Sequence, residues 1–89
     1  MKNQGKKRKL LKALELPEEI ASGATKISMV SFEKIRIDNY KSLIEYERDV
    51  IRVNTKEKLI KITGEDMELS EVTDESVEIT GKIAEVNFE

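Results

Sequence analysis

The chain contains no cysteine, no histidine and no tryptophan, and only one proline among its 89 residues. Without cysteine, no disulfide or thiolate-bound metal can hold the fold together. Without histidine, the commonest general base and zinc ligand is missing, and a Ser-His-Asp triad cannot form. We therefore expect a protein that is not an enzyme, with no catalytic residues, no cofactor and no metal site.

Long apolar runs are missing as well. No stretch approaches the roughly 18–20 apolar residues that span a bilayer. The basic N-terminus is followed by apolar residues, but Lys12, Glu15 and Pro17 interrupt them, so the apolar segment of a secretory signal peptide does not form. We therefore expect a cytoplasmic protein.

Charge is distributed unevenly along the chain. Residues 1–12 carry six basic side chains and no acid, whereas residues 65–89 carry nine acids and one lysine. A basic segment joined to an acidic body favours contact between that segment and an anionic surface. Attraction to anionic lipid, simple solubilisation and non-specific nucleic-acid binding are the three interpretations. The residues that would make such a contact are Lys6, Lys7, Arg8, Lys9 and Lys12.

The chain divides into an arm, residues 1–15, that is disordered or a short helix, and one domain, residues 16–89. From residue 26 onwards, apolar and polar side chains alternate in short runs separated by turn signals. The pattern predicts an all-β fold, an antiparallel β-sandwich of roughly seven short strands with a flexible basic N-terminal arm. The parity changes near Ser31, where a bulge would fit. The inward positions, which we expect to be buried, are Ile37, Ile51, Val53, Ile62, Ile79 and Ile83.

One short pattern occurs twice. Ile60-Lys-Ile62-Thr-Gly64 and Val77-Glu-Ile79-Thr-Gly81 are separated by 17 residues. Two copies do not establish a repeat architecture. The simpler interpretation is a pair of similar hairpin arms in which each glycine supplies a bend or bulge. A small solenoid of stacked β-arcs is the alternative.

Two patterns resemble ligand-binding motifs but lack their essential residues. Gly81-Lys82 is followed by Ile83 instead of the Ser or Thr of a phosphate-binding loop. The acids within residues 65–68 lack the alternating ligands and central glycine of a calcium loop. We interpret these acids as a solvated strand face.

The region from about Leu16 to Phe88 resembles the YqfC family of bacterial sporulation proteins, which is related to the YabP group. The resemblance depends on Ile35-Arg-Ile37-Asp38-Asn39-Tyr40-Lys41 and on the two Ile-x-Gly strands, in that order. The family-motif positions are the turn Asp38, Asn39 and Tyr40 and the glycines Gly64 and Gly81. Position 40 is often histidine in the family and is tyrosine here.

The resemblance implies a role in endospore formation in the mother cell, as a structural or assembly factor of the spore envelope. It implies no enzyme activity and no small-molecule substrate, and it suggests a sporulation membrane protein as the partner. The alternative is a small nucleic-acid-binding module that uses the basic arm, which the acidic body disfavours.

We expect the protein to act by protein–protein contact through an exposed sheet edge or face, because short strands leave edges that can pair with another chain. Acidic side chains along the C-terminal strands are expected to guard those edges against unspecific pairing. They are Glu68, Glu71, Glu78 and Glu85.

Overall fold

The computed structural model describes residues 23–89, which form six β-strands and no helix. Every pair of neighbouring strands is antiparallel. The predicted all-β antiparallel class is confirmed, and the stack of β-arcs is not the architecture. The arm residues Lys6, Lys7, Arg8, Lys9 and Lys12 lie outside the described part of the chain. The strands are β1 (Lys26–Val30), β2 (Lys34–Asp38), β3 (Tyr40–Tyr46), β4 (Val50–Thr55), β5 (Leu59–Val72) and β6 (Ser76–Phe88).

The strands form one sheet in the order β1-β2-β6-β5-β4-β3. The two central strands, β5 and β6, have 14 and 13 residues and pair with each other along most of their length. On β6, only residues 76–80 pair with β2, and on β5, only residues 59–63 pair with β4. The sheet therefore has a first wing, which contains β1 and β2, and a second wing, which contains β3 and β4.

Both wings contribute to a single hydrophobic core. Side chains at alternate positions of β2, β4, β5 and β6 point to the same face of the sheet, as the period of two requires. A single flat layer would leave that face open to water, so burial to this degree requires the two wings to face each other. The nine buried apolar side chains are Ile35, Ile37, Ile51, Val53, Ile60, Ile62, Met67, Val77 and Ile79.

Five of the six predicted core residues are buried, and the sixth, Ile83, is half-buried against the core. Ile83 pairs with Gly64 where the sheet bends, so the alternation of β6 is interrupted just before it. The full burial predicted from alternation was therefore wrong for Ile83 alone among the six residues.

The predicted sandwich of roughly seven strands is not confirmed, since the described residues form six strands in one continuous sheet. The expectation that Gly64 and Gly81 each supply a bend or bulge agrees with the structure, but the sequence pattern did not predict that one strand continues through each glycine. In the structure both glycines lie inside long strands, at or beside shifts of register. A glycine can bend a strand without ending it, because the missing side chain permits close approach of a neighbouring backbone.

Contact with neighbouring backbone explains why these two positions are glycine. A Cβ atom at Gly64 would lie 2.1 Å from the carbonyl oxygen of Lys82. A Cβ atom at Gly81 would lie 2.7 Å from both the carbonyl oxygen of Asp66 and the Cα atom of Met67. Gly81 also has a φ of 144°, which side-chain-bearing residues rarely adopt. The two glycines are thus the points at which the sheet folds from one wing into the other.

An approximate internal two-fold relates the two wings. The β5–β6 pair Ile62↔Val86 becomes Leu69↔Ile79 when each residue is exchanged with the position 17 residues away, and both pairs occur. On the next strand outward in each wing, Ile51 of β4 pairs with Ile62 of β5, and Ile35 of β2 pairs with Ile79 of β6. The pattern that recurs after 17 residues in the sequence reflects this symmetry, because its two copies occupy equivalent positions in β5 and β6.

Candidate functional site

The family-motif turn carries the chain from the first wing to the second. Asn39 lies between β2 and β3 with a φ of 65°, a left-handed conformation that asparagine tolerates better than most residues. Its backbone N–H donates to the carbonyl of Glu75 at 2.6 Å, and its side-chain amide donates to the carbonyl of Ala24 at 2.8 Å. Asn39 thereby fastens two separate segments to the crossing point.

The residues on either side of Asn39 also bind backbone or loop groups. The Asp38 carboxylate accepts a hydrogen bond from the Ser76 hydroxyl at 2.6 Å and another from Arg36 Nε at 3.0 Å. The Tyr40 hydroxyl donates to the carbonyl of Thr73 at 2.8 Å. The motif turn and the β5–β6 turn are therefore held together, and each motif side chain has a structural role.

Arg36 is the centre of an ionic cluster on the outer face of the first wing. Its guanidinium lies 3.0 Å from Asp38, 3.5 Å from Glu71 and 3.6 Å from Glu78. The hydrogen bond and the charge of Asp38, together with the charges of Glu71 and Glu78, raise the pKa of Arg36 above its ordinary value. Lys34 reaches Glu78 from the other side at 3.6 Å. The cluster holds two cations and three carboxylates, so both cations are neutralised and one negative charge remains.

The described residues are acidic in sum, and their arginines are paired. They carry ten basic and fifteen acidic side chains. All three arginines within residues 23–89 contact carboxylates, since Arg48 lies 3.5 Å from Asp66 and Arg52 is paired with Glu45. A phosphate-binding surface needs cations that are not already neutralised in this way.

A strained and exposed aromatic lies at the turn between β1 and β2, which we call the Phe32 tip (residues 30–33). Ser31 and Phe32 have φ values of 55° and 68°, a conformation that costs a non-glycine residue about 1–2 kcal/mol. The Phe32 side chain is nonetheless 74% exposed. The parity change near Ser31 in the sequence is therefore this turn, and the predicted bulge there was wrong.

The fold uses the backbone of this tip. The carbonyls of residues 32–33 accept hydrogen bonds of 3.0 Å from the amides of Ile83 and Gly81, so the tip braces the bend of β6. No part of this arrangement involves the aromatic ring.

The two-fold supplies an internal comparison for the tip. Residues 47–49, the Arg48 tip, join β3 to β4 and brace the other bend in the same way. Their carbonyls accept from the amides of Gly64 at 3.2 Å and Met67 at 2.9 Å. The side chains here are charged, Glu-Arg-Asp. The same structural task is thus performed without an exposed aromatic, so the fold does not require one at Phe32.

Exposed apolar side chains continue from this tip along β1. The edge surface, as we call it, consists of Ile27, Met29, Val30 and Phe32, each more than a third exposed. Ile27 and Met29 pair with the buried Ile37 and Ile35 and therefore lie on the core side of the sheet, at its open margin. Sequence analysis did not single out this surface, although the parity change was a signal for its turn.

The two edge strands of the described sheet differ in how readily they accept a neighbour. β3 contains two shifts of register and an acid, Glu45, which are devices that discourage edge pairing. β1 pairs with β2 without any shift of register and contains no acidic residue. Of the two, β1 is the edge suited to contact with another chain.

A small pocket of about 170 Å³ lies at the opposite end of β1 from the Phe32 tip. Its apolar walls are Ile27, Ile60 and Phe88, and polar residues complete it. One of these, Thr25, has a buried hydroxyl oxygen with no hydrogen-bond partner. Two larger, shallow hollows lie beside Gly81 and Gly64, and neither assembles a set of residues with a recognisable reaction.

Within residues 23–89, no group of three or more acidic side chains is placed to hold a metal ion. The same residues include no helix with the length and apolar character needed to cross a membrane.

The model of the YabP family matches residues 21–89. The chain belongs to the YabP family. The match covers all six strands, both bends and the motif turn, and it begins after the basic arm. It agrees with the resemblance to the YabP-related YqfC family and suggests a sporulation-related role. No curated protein and no solved structure matches the chain.

Proposed function

We propose that this YabP-family protein acts in endospore formation by binding another protein through the edge surface, without catalysing a reaction. The family match supports the sporulation setting. The observation that carries the proposal is the Phe32 tip, where an exposed aromatic is kept in a strained conformation although the Arg48 tip braces the other bend with charged residues and without that strain. Strained, exposed residues at turns are characteristic of contact sites.

The proposed place of action is the cytoplasm of the mother cell, at a membrane where the spore envelope is assembled. The basic residues of the arm support this location, because each lysine or arginine near an anionic lipid surface contributes about 1 kcal/mol of attraction. The arm would bring the protein to the membrane, and the edge surface would select the protein partner.

Deletion of the gene, followed by complementation with variants, tests this function. We expect the deletion strain to grow normally and to form fewer heat-resistant spores. Phe32→Asn should fail to restore sporulation, because asparagine accepts the left-handed conformation but offers no aromatic contact. Arg48→Asn, the same substitution in the equivalent tip, should restore it. Normal sporulation of the deletion strain would refute the proposal.

The alternative is a nucleic-acid-binding module that depends on the basic arm. Residues 23–89 give it little support, because their net charge is negative and their arginines are neutralised by carboxylates. A titration of the full chain with labelled single-stranded DNA distinguishes the two. Binding by the full chain that is lost when residues 1–15 are removed would favour the alternative.

A further inference from the structure

We infer that β1 forms the interface of a symmetric dimer in which the Phe32 tip of each copy enters the small pocket of the other. This inference rests on the proposed function and deepens it, because it names the protein chain that the edge surface binds. The occupant of that surface is a second copy of this chain, and the argument follows from size, spacing and charge.

The first argument is size. The pocket bounded by Ile27, Ile60 and Phe88 has a volume of about 170 Å³. An apolar cavity of about 150 Å³ is sufficient to hold a benzene ring. The ring of Phe32, which has little contact with its own domain, therefore matches the space that the domain leaves empty.

The second argument is spacing along β1. Ser28 is the middle residue of the strand. At the usual rise of a strand, Val30 at the end of β1 lies about 7 Å after it and Thr25 of the pocket lies about 10 Å before it. The turn that carries Phe32 follows directly on Val30. Two β1 strands related by a two-fold axis at Ser28 run antiparallel, and each Phe32 then comes beside the start of the other β1, where the pocket lies. A two-fold interface of this kind is the commonest form of self-association.

The third argument is charge. The described residues are acidic in sum, so two copies repel each other over most of their surfaces. β1 carries no acid, and in the two-fold arrangement its Lys26 comes opposite Val30 of the other copy. Ile27 comes opposite Met29, so the apolar residues on the core side of the strand meet across the axis. The edge is thus complementary to itself, which an isologous contact requires.

Thr25 adds an independent observation. Its hydroxyl oxygen is buried in the pocket wall without a hydrogen-bond partner. Buried polar atoms in folded proteins are almost always satisfied, so this oxygen is placed to bond a polar group that enters the pocket. Ser31, the residue before Phe32, brings a hydroxyl into the same region of the second copy.

Sedimentation equilibrium of the full chain over a range of concentrations tests the dimer. The wild-type chain should associate, and Phe32→Asn should raise the dissociation constant by about tenfold for each of the two tips, hence about a hundredfold. Arg48→Asn should leave it unchanged. Phe88→Asp, which places a carboxylate at the pocket wall, should weaken association to a similar degree. If Phe88→Asp lowers the melting temperature of the protein, Phe88→Ser is used as the pocket variant in its place.

Mixing the two kinds of variant is the sharpest measurement. Phe32→Asn retains an intact pocket and Phe88→Asp retains an intact tip, so a mixed dimer keeps one of the two contacts. The mixture should therefore associate about tenfold more tightly than either variant alone. A wild-type chain that stays monomeric, equal behaviour of Phe32→Asn and Arg48→Asn, or no recovery in the mixture would overturn the inference.

Two further outcomes identify a different occupant and also overturn it. If the chain becomes dimeric only when residues 1–22 are removed, the pocket is occupied by the protein's own N-terminal segment. If the wild-type chain is monomeric and Phe32→Asn still abolishes sporulation, the tip binds another protein. In the second case the proposed function stands and only the dimer fails.

Discussion

Replacing Gly64 by alanine is expected to unfold much of the protein, because the added methyl group has no space. Its Cβ would lie 2.1 Å from the carbonyl oxygen of Lys82 and 3.1 Å from the Cα atom of Ile83. Ordinary contacts between such atoms begin near 3.5 Å. The neighbouring strand would have to move by more than an ångström, and it is backbone that cannot rotate away as a side chain can.

The cost can be compared with the stability available. Forcing an extra methylene into a packed site typically costs about 1–3 kcal/mol, and a clash with rigid backbone lies at or above the upper end of that range. A described domain of this length is expected to have a free energy of unfolding of only about 3–10 kcal/mol. Because about 1 kcal/mol shifts the melting temperature of such a domain by about 4–8 °C, we expect a fall of at least about 12 °C.

Thermal unfolding followed by circular dichroism compares the melting temperatures of Gly64→Ala and its control, Gly23→Ala. Gly23 also has a positive φ, 74°, but a Cβ there would meet only the flexible Nζ of Lys56, at 3.8 Å. Gly23→Ala therefore measures backbone strain without a clash, which costs about 1 kcal/mol. Equal melting temperatures for the two variants would show that the close approach at the bend does not hold the sheet together.

Ile62→Ala should lower the free energy of unfolding by about 2–5 kcal/mol, since it leaves a cavity in the shared core, and a urea titration measures it. Phe32→Asn should be neutral or raise stability by about 1 kcal/mol in the same titration, since it relieves backbone strain, and a clear loss would mean that the ring supports the fold. Tyr40→Phe should cost about 1 kcal/mol by removing the hydrogen bond to Thr73. A chain that begins at residue 16 should melt at nearly the wild-type temperature, because residues 1–9 are polar and basic and are not expected to pack; failure to fold would place the arm in the core.

Sequence patterning predicted much of this fold because alternation with a period of two records which side chains face the core. The inward Ile51, Val53 and Ile62 were identified from spacing alone, and all three are buried. The continuity of β5 and β6 was not predictable in the same way. A bend or bulge was expected at Gly64 and Gly81, but only the position of the neighbouring backbone shows that one strand continues through each of them.

The charged residues show a second limit of sequence reasoning. Glu78 was expected to guard a strand edge in solvent, but its side chain is only 18% exposed and lies against Arg36 and Lys34. Alternation places it correctly on the outer face, whereas the ion pairs depend on which strand lies alongside. Reversing its charge would therefore disturb the first wing, so it is a poor probe of partner binding. The importance of Phe32 was equally hidden, since it follows from comparing two tips that share no sequence similarity.

The crossing of β5 and β6 between the wings has a consequence for the order in which the protein can be completed. The inner neighbours of β2 and β4 are β6 and β5, which both follow them in the chain. Residues 34–38 of β2 can pair only after residues 76–80 of β6 have been made. During synthesis the four N-terminal strands emerge first and have no sheet to join, so their apolar faces stay exposed until the C-terminal hairpin is made. The β5–β6 hairpin is joined by a short local turn and can form rapidly, whereas the β2 pairing closes a long loop and is slow. The β5–β6 hairpin therefore provides the template on which the preceding strands assemble, and a chain that stops before residue 76 is expected to aggregate where one that includes β6 folds.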